Sequence, residues 1–332
     1  YGFLGEYYEK NDRRNDAVKA TRKAVFSAHQ GYFPEILYRW QWQLGRLFGK
    51  IGDMDRAVAS YRNAVATLEP IRTEFFTGFR RPRDAFGEDI RPVYLGLAEL
   101  LLASAETSET SGSFLGQARD TMELLKKSEL ENFFRDECLI KRKKSGEAGQ
   151  VPPGTAVIYP ILLPDHLHLL LMLPDGIKQI RVPADSEQLR AVSKRFRKKS
   201  EEMEDDFRDE AGQLYDWLIR PAESELASRD TDTLIIAPEG ALCLIPFSAL
   251  HDGAHFLIEK YAIVTLPAVT LTDPRPFDSG KARLLLTGLS ETVTIDDPLG
   301  YQLEFPPLPS VPDELKEIKD ILKEKTRHTL QD

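Results

Sequence analysis

The sequence predicts a protein of two parts: antiparallel helix pairs over residues 1–140, and an α/β domain with a mixed β-sheet over residues 155–332. Three observations lead to this prediction. A pattern of small and aromatic residues recurs at an interval of 40 residues near the start of the chain. Residues 141–154 lack hydrophobic periodicity and combine a basic run with Gly and Pro, which is typical of a linker. Beyond them, short apolar segments bounded by turn residues indicate strands.

The recurring pattern is that of a helix-turn-helix repeat. Its clearest copy and the copy 40 positions earlier share these residue types: Leu44, Gly45, Phe48, Ala57 and Ala64, matched by Leu4, Gly5, Tyr8, Ala17 and Ala24. The small residues let two antiparallel helices approach closely, Gly52 permits a tight turn, and Pro70 ends the second helix. The pattern resembles the tetratricopeptide repeat, whose period is about 34 residues. Asp12 stands at the first turn where that family has Gly, so the first copy is less regular.

A third helical pair is predicted after the two repeats. Residues 92–102 form a nearly continuous apolar segment, and residues 114–134 carry apolar side chains at spacings of three and four, as an amphipathic helix requires. By this spacing the pair can stack on the repeats and cover them. Tyr1 falls inside the first helix of the pattern, so we expect further helical sequence upstream of it.

The second part begins with a predicted antiparallel meander, Thr155–Leu163, His166–Leu173 and Lys178–Val182, whose turns contain Pro and Asp. A polar helical region follows at about residues 185–230. The next apolar strand ends at Pro238. Further along, we expect a strand at residues 282–288, a loop at 295–312 and a helix at 313–325 with Asp313 as its cap.

Two stretches carry a resemblance to a known family: PEGALCLIPFSAL at residues 238–250 and LIEKYAIVTLPAV at residues 257–269. They are similar to the CHAT family, a caspase-like domain often joined to tetratricopeptide repeats, and the resemblance extends from about Tyr94 to the C-terminus. It implies a cysteine peptidase whose catalytic His and Cys follow strands later than Asp332. We therefore expect the N-terminal part of such a domain, with no catalytic residue in this chain. Without the resemblance, the residues predict only an α/β domain with a mixed sheet.

The thiols and histidines of the chain agree with this expectation. Cys243 lies in an apolar run and Cys138 at a helix end, and both are interpreted as buried small hydrophobic residues. His166 and His168 alternate along one predicted strand, so both rings face the same side, but no third metal ligand is evident. No phosphate-binding, dinucleotide-binding, serine-hydrolase or zinc-protease motif occurs. We predict no metal and no cofactor.

Composition excludes several function classes. The net charge of −9 is unsuited to nucleic acid, which needs clustered Lys and Arg. The longest strongly apolar run, Leu167–Leu173, is far shorter than the roughly 20 residues of a membrane-spanning helix. Two distant cysteines form no disulfide framework, so we expect a reducing, cytoplasmic setting.

One binding surface is predicted on the first helix of the second repeat. Arg39, Trp42, Arg46 and Lys50 are spaced by three, four and four residues, so they share one face. Repeat proteins of this kind hold peptides on such a face, and this one favours an acidic segment or a C-terminal carboxylate. A basic face that is merely solvated is the alternative.

Two main functions remain open at this stage. The first is the regulatory part of a cysteine peptidase whose repeats sense a protein or peptide partner. The second is a non-catalytic scaffold for protein–protein interaction. A doubly wound nucleotide-binding domain is disfavoured because the glycine-rich loop is missing. An incomplete sheet would also leave an open edge, through which two copies of the chain can pair.

Overall fold

The computed structural model describes residues 1–72, 86–134, 151–202, 205–271, 286–296 and 302–328. The chain divides into two compact units, Tyr1–Asp273 and Pro274–Asp332. Of the predicted linker, residues 141–150 lie outside the described residues, as does Cys138.

The first unit opens with six α-helices in the described ranges, and each packs against the next along the chain. Their bounds are α1 Gly2–Lys10, α2 Arg14–Gln30, α3 Pro34–Ile51, α4 Met54–Leu68, α5 Arg91–Thr107 and α6 Ser111–Phe134. A π-helical turn, Phe86–Ile90, leads directly into α5. The predicted helical pairs are therefore present.

The turns between paired helices use the residues that the sequence places there. Gly52 follows α3 with φ +86°, a left-handed conformation that Gly adopts without steric cost. The Asp53 side chain then accepts a hydrogen bond from the backbone N–H of Arg56 and caps α4. Asp12, after α1, also has a positive φ of 55°, a conformation that Asp tolerates better than most residues.

Small residues set the spacing of the helices, as predicted. Ala57 and Ala64 of α4 are fully buried. The ring of Tyr61, on the same helix, lies between Gly45 of α3 and Gly96 of α5; a Cβ atom at either glycine would approach the ring to 2.4 or 2.5 Å. The three helices interlock at Tyr61 because two of them carry no side chain there.

A five-stranded mixed sheet follows, in the order β3-β2-β1-β4-β5. The strands are β1 Thr155–Leu162, β2 Leu167–Leu173, β3 Gly176–Val182, β4 Thr233–Ile236 and β5 Ala262–Thr265. The first three pair antiparallel, which confirms the predicted meander, while β4 pairs parallel with β1 and β5 parallel with β4. The carboxyl ends of β1, β4 and β5 therefore lie at one edge.

Helical layers cover both faces of the sheet. On one face, alternate residues such as Val157, Tyr159 and Leu170 share a hydrophobic core with α3 to α6. On the other face, Ile158 and Leu169 pack with later helices. These are α7 Ser186–Glu201, α8 Arg208–Leu218, α9 Glu223–Ala227 and α10 Leu257–Lys260. Short 3₁₀ turns stand directly before α8 and α9, and β4 lies between α9 and α10. The polar region predicted at 185–230 is thus helical but broken into separate pieces.

The second unit contains a two-stranded antiparallel sheet and one helix among its described residues. Strand β6 spans Val293–Asp296, β7 spans Gln302–Phe305, and α11 spans Val311–His328. The predicted helix at 313–325 is confirmed, but it begins at Val311, so Asp313 lies in its first turn and the prediction that Asp313 is its cap is wrong. The prediction of a loop at 295–312 is wrong for residues 295–296, 302–305 and 311–312, which lie in the strands or in the helix. Val293 pairs with Phe305 and Ile295 with Leu303, and these cross-strand contacts stabilise the two strands. The Pro- and Asp-rich composition of the segment did not reveal them. The predicted strand at 282–288 lies mostly outside the described residues.

Among the described residues, no helix combines the length and the apolar composition that crossing a membrane requires.

Replacing Gly45 by Ala should lower the free energy of unfolding by about 1–3 kcal/mol, since the added methyl group overpacks against Tyr61. Urea denaturation followed by circular dichroism measures the change. Gly116→Ala is the matched control, because Gly116 lies in α6 with open space around its Cβ position; there Ala should raise the free energy of unfolding by about 0.5–1 kcal/mol. Equal free energies of unfolding for the two variants would contradict the close packing of Gly45 against Tyr61.

Candidate functional site

The predicted peptide-binding residues all lie on α3, and the structure brings them together. The Arg46 guanidinium stacks on the Trp42 ring, with its carbon 4.5 Å from the ring centroid. The side chains of Arg39 and Arg46 are partly exposed, and that of Lys50 is more than half exposed. We call this surface, formed by Arg39, Trp42, Arg46 and Lys50, the α3 face.

Each cation of the α3 face has a carboxylate partner from another element. Glu9 of α1 accepts hydrogen bonds from Lys50 at 2.9 Å and from Arg46 at 3.3 Å. Burial tends to raise the pKa of Glu9, but the two cations outweigh it and hold that pKa below its ordinary value. Asp89 in the π-helical turn accepts a hydrogen bond from Arg39 at 2.9 Å. The α3 face is therefore less positive than its sequence indicates.

A second polar cluster lies at the carboxyl edge of the sheet, the position where open α/β sheets usually carry their sites. Its centre is Glu239, in the turn after β4, whose side chain is only 1% exposed. The carboxylate accepts hydrogen bonds from the backbone N–H of Leu162 at 2.6 Å and from the Arg91 guanidinium at 2.9 Å. Arg91 also binds Glu129 of α6. Burial raises the pKa of Glu239, although Arg91 opposes the shift.

Helix α6 holds the same edge at two further points. Lys126, which is buried, donates a hydrogen bond to the carbonyl of Pro238. The buried Glu123 carboxylate accepts hydrogen bonds from the Tyr159 hydroxyl on β1 at 2.8 Å, and from the backbone N–H groups of Val269 and Thr270, each at 3.0 Å, after β5. One helix thereby fixes the segments that follow β4 and β5.

Sequence reasoning did not identify Glu239, Arg91, Glu123 or Lys126 as important. A signal was available: Glu123 and Lys126 stand next to Met122 and Leu125, which are buried on the apolar stripe of α6. Charged residues so close to a buried stripe must be paired or solvated. Their partners, however, come from strand β1 and from the turn after β4, more than thirty residues away in sequence, so the pairing itself was not readable.

Cys243 is exposed, so the prediction that it is a buried small hydrophobic residue is wrong. The residue lies in a 3₁₀ turn, Gly240–Leu244, whose tight winding points Leu242 inward and Cys243 outward. The sulfur still lies against the sheet edge, 3.5 Å from the Pro238 carbonyl oxygen. Desolvation therefore raises the pKa of the thiol, while Lys126 opposes the shift.

The two histidines predicted to face the same side do so. Their rings are 4.7 Å apart, their Nε2 atoms are 2.9 Å apart, and His166 Nδ1 lies 2.6 Å from Asp165 Oδ1. His168 is 3% exposed, and its Nδ1 atom has no hydrogen-bond partner among the described residues. No group of three or more metal-ligating side chains occurs in the part of the chain that the structure describes.

The fold and this edge define a class: an α/β domain with a mixed sheet, one face of which is covered by an array of helices. In comparison with known proteins, residues 208–332 match the sequence model of the CHAT domain family. The matched segment includes α8, β4, the Glu239 turn and β5, and the resemblance inferred from PEGALCLIPFSAL is confirmed there. No curated protein matches the chain.

The buried His168 predicts a pH dependence of stability. Desolvation and the neighbouring His166 and Arg181 lower its pKa from 6.5 to about 4, so the folded state binds this proton less readily than the unfolded state. Stability is then highest above pH 6.5 and falls as the pH drops from 6.5 towards 4. We expect this group to lower the free energy of unfolding by at most about 2 kcal/mol. This is less than the pKa difference alone would give, because solvent screens the charge of Arg181.

Denaturation midpoints at pH 7, 5.5 and 4.5 measure this effect. The His168→Asn variant should show a shallower decline than the wild type over that range. Parallel curves for His168→Asn and the wild type would show that His168 does not titrate differently on folding.

Proposed function

We propose that this chain combines a partner-binding array of tetratricopeptide-type helix pairs, over residues 1–140, with part of a caspase-like CHAT domain over residues 155–332. The observation that carries the proposal is the CHAT match at residues 208–332. The matched segment includes strands of the sheet, and one face of that sheet packs against the helix pairs. The paired helices α1–α2 and α3–α4, with small residues at the same places in both pairs, support the repeat assignment. We propose that such a protein works in the reducing cytoplasm.

The ligand of the α3 face is proposed to be an acidic peptide segment or a C-terminal carboxylate. The internal contacts support this chemistry, because the carboxylates of Glu9 and Asp89 already bind the three cations of the face. Arg46 stacked on Trp42 presents guanidinium N–H groups beside an apolar ring, an arrangement that suits a carboxylate next to a hydrophobic side chain. An external ligand must compete with these internal carboxylates.

Fluorescence anisotropy with a labelled acidic peptide tests this proposal. Arg46→Glu should weaken binding about tenfold or more, corresponding to ~1.4 kcal/mol, because it replaces an attractive charge by a repulsive one. Arg56→Glu is the matched control: it makes the same charge change on α4, where Arg56 pairs with Asp53 and stacks on Phe48, whereas Arg46 stacks on Trp42. Equal losses in the two variants would indicate non-specific electrostatic attraction.

Catalysis is assigned to the parent protein and not to this chain. We propose that the parent is a cysteine endopeptidase of the caspase-like type, regulated by a partner on the helix pairs. Among the described residues Cys243 is the only thiol; the charged groups that act on it are Lys126, Glu129, Glu239 and Arg91, and no imidazole is among them. A peptidase thiol needs a lowered pKa and a histidine base.

Alkylation of Cys243 by iodoacetamide should follow the profile of an unactivated thiol. Since its pKa is raised above the ordinary value of 9.0, the rate should increase about tenfold between pH 7 and 8 and should still be rising at pH 9. Peptide mapping by mass spectrometry gives the rate at this site, with a free cysteine peptide as the control. A rate that is already maximal at pH 7, together with peptide cleavage, would refute the assignment.

The alternative function is a non-catalytic scaffold. The edge strand β5 favours a docking role, because Ala262 and Val264 are exposed on it and no strand among the described residues pairs with its outer side. Pairing of two copies through this edge is the form we propose. Sedimentation velocity at two protein concentrations tests it, and a monomer at both concentrations would argue against it.

A further inference from the structure

The ion pair between Arg39 and Asp89 links the α3 face to another part of the molecule. Arg39 Nη2 lies 2.9 Å from Asp89 Oδ2, and the two side chains are 39% and 34% exposed, so a solvent-borne ligand can reach the pair. Asp89 belongs to the π-helical turn Phe86–Ile90, and turns of this kind occur often at functional positions in helices. The turn continues without a break into α5.

The next link is Arg91, two residues after Asp89 and the first residue of α5. Its guanidinium binds Glu129 of α6 and the buried Glu239, which lies in the turn after β4. Glu239 is also held by the Leu162 N–H at the end of β1. A displacement of the Asp89–Arg91 segment therefore acts directly on hydrogen bonds at the carboxyl edge of the sheet.

We propose that Asp89 is an internal competitor for the α3 face, and that an acidic segment bound there displaces it from Arg39 and alters the turn that contains Glu239 and Cys243. The inference rests on the proposed binding of acidic peptides and adds its regulation. Asp89 occupies the Nη2 group of Arg39, and a ligand carboxylate that takes the same N–H groups excludes Asp89 from them, so the two states compete for one contact. The ligand shifts the equilibrium because it contacts Arg39 in only one of them.

Reciprocity gives this proposal a clear signature. If ligand binding displaces Asp89 from Arg39, then a change at Asp89 that removes the Arg39–Asp89 pair must in turn strengthen ligand binding, because the ligand no longer competes with Asp89. Asp89→Asn should therefore increase affinity for the acidic peptide. Arg39→Gln should decrease affinity, because it removes a ligand contact, yet it also releases Asp89. Both variants should alter the Glu239 turn in the absence of peptide.

Cys243 reports on that turn, because its sulfur lies 3.5 Å from the Pro238 carbonyl oxygen. In a Cys138→Ser background it is the only thiol of the chain, so its rate of reaction with Ellman's reagent measures access to the sulfur. Acidic peptide should raise this rate at least about fivefold, the lower end of typical couplings between sites. Asp89→Asn and Arg39→Gln should raise it without peptide, and Arg91→Gln should abolish the response to peptide.

Asp55→Asn is the matched control, since it makes the same charge change at an exposed carboxylate on α4; it should leave both affinity and thiol rate unchanged. Circular dichroism melting of every variant excludes unfolding as the cause of a faster rate. If the peptide binds but neither the peptide nor Asp89→Asn changes the Cys243 rate, the inference is overturned while the proposed function stands. If no acidic peptide binds the wild type or Asp89→Asn, both fall.

Discussion

The burial of both faces of strands β1 and β2 is the constraint on which the rest of the structure depends. Every residue of β2 and all but the first of β1 are buried. Strands of this kind exist only between two layers, because either face left in water would expose a continuous apolar surface. The helices α7 and α8 cover one face, and the array ending in α5 and α6 covers the other. The helix pairs and the sheet therefore share a core.

This shared core explains why polar groups are buried at the carboxyl edge. Where α6 crosses the ends of β1, β4 and β5, backbone groups that leave the sheet lose their strand partners and need others. Glu123 and Lys126 supply these hydrogen-bond partners from α6, and Glu239 supplies one from the turn after β4. Each removal would leave a buried donor or acceptor unpaired, which generally costs about 1–3 kcal/mol. The edge is held by specific bonds, whereas the faces are held by non-directional apolar contact.

The same arrangement limits the chemistry of the edge. A nucleophile requires a group that can accept its proton, whereas the groups around Cys243 are two carboxylates already bound to Arg91 and an ammonium bound to Pro238. Desolvation holds the pKa of the Cys243 thiol above its ordinary value, and Lys126 only opposes this shift. The α3 face differs: its ion pairs involve partly exposed side chains, which water and ligands can reach, and exposed pairs contribute little to stability. A ligand can therefore replace an ion-pair partner more easily on the α3 face than at the carboxyl edge of the sheet.

Much of the fold was readable from local patterns. Gly52 predicted a tight turn, the apolar runs at residues 155–182 predicted a meander, and Ala57 with Ala64 predicted close helix packing; each depends on residues near one another in sequence. The site was less readable. The sequence showed that Arg39, Trp42, Arg46 and Lys50 share a face, since helical spacing decides this alone.

By itself, then, the sequence determined the helix pairs, the meander, the α3 face and the resemblance to the CHAT family over the segment that the comparison matches. Only the tertiary structure decided that Glu9 and Asp89 neutralise that face, that Cys243 points outward, and that Arg91 reaches Glu239. The physical reason is range. Helical and strand periodicity are set by neighbours along the chain, whereas an ion pair or a burial state depends on which distant segment packs alongside, as Arg91 and Glu239 do across 148 residues.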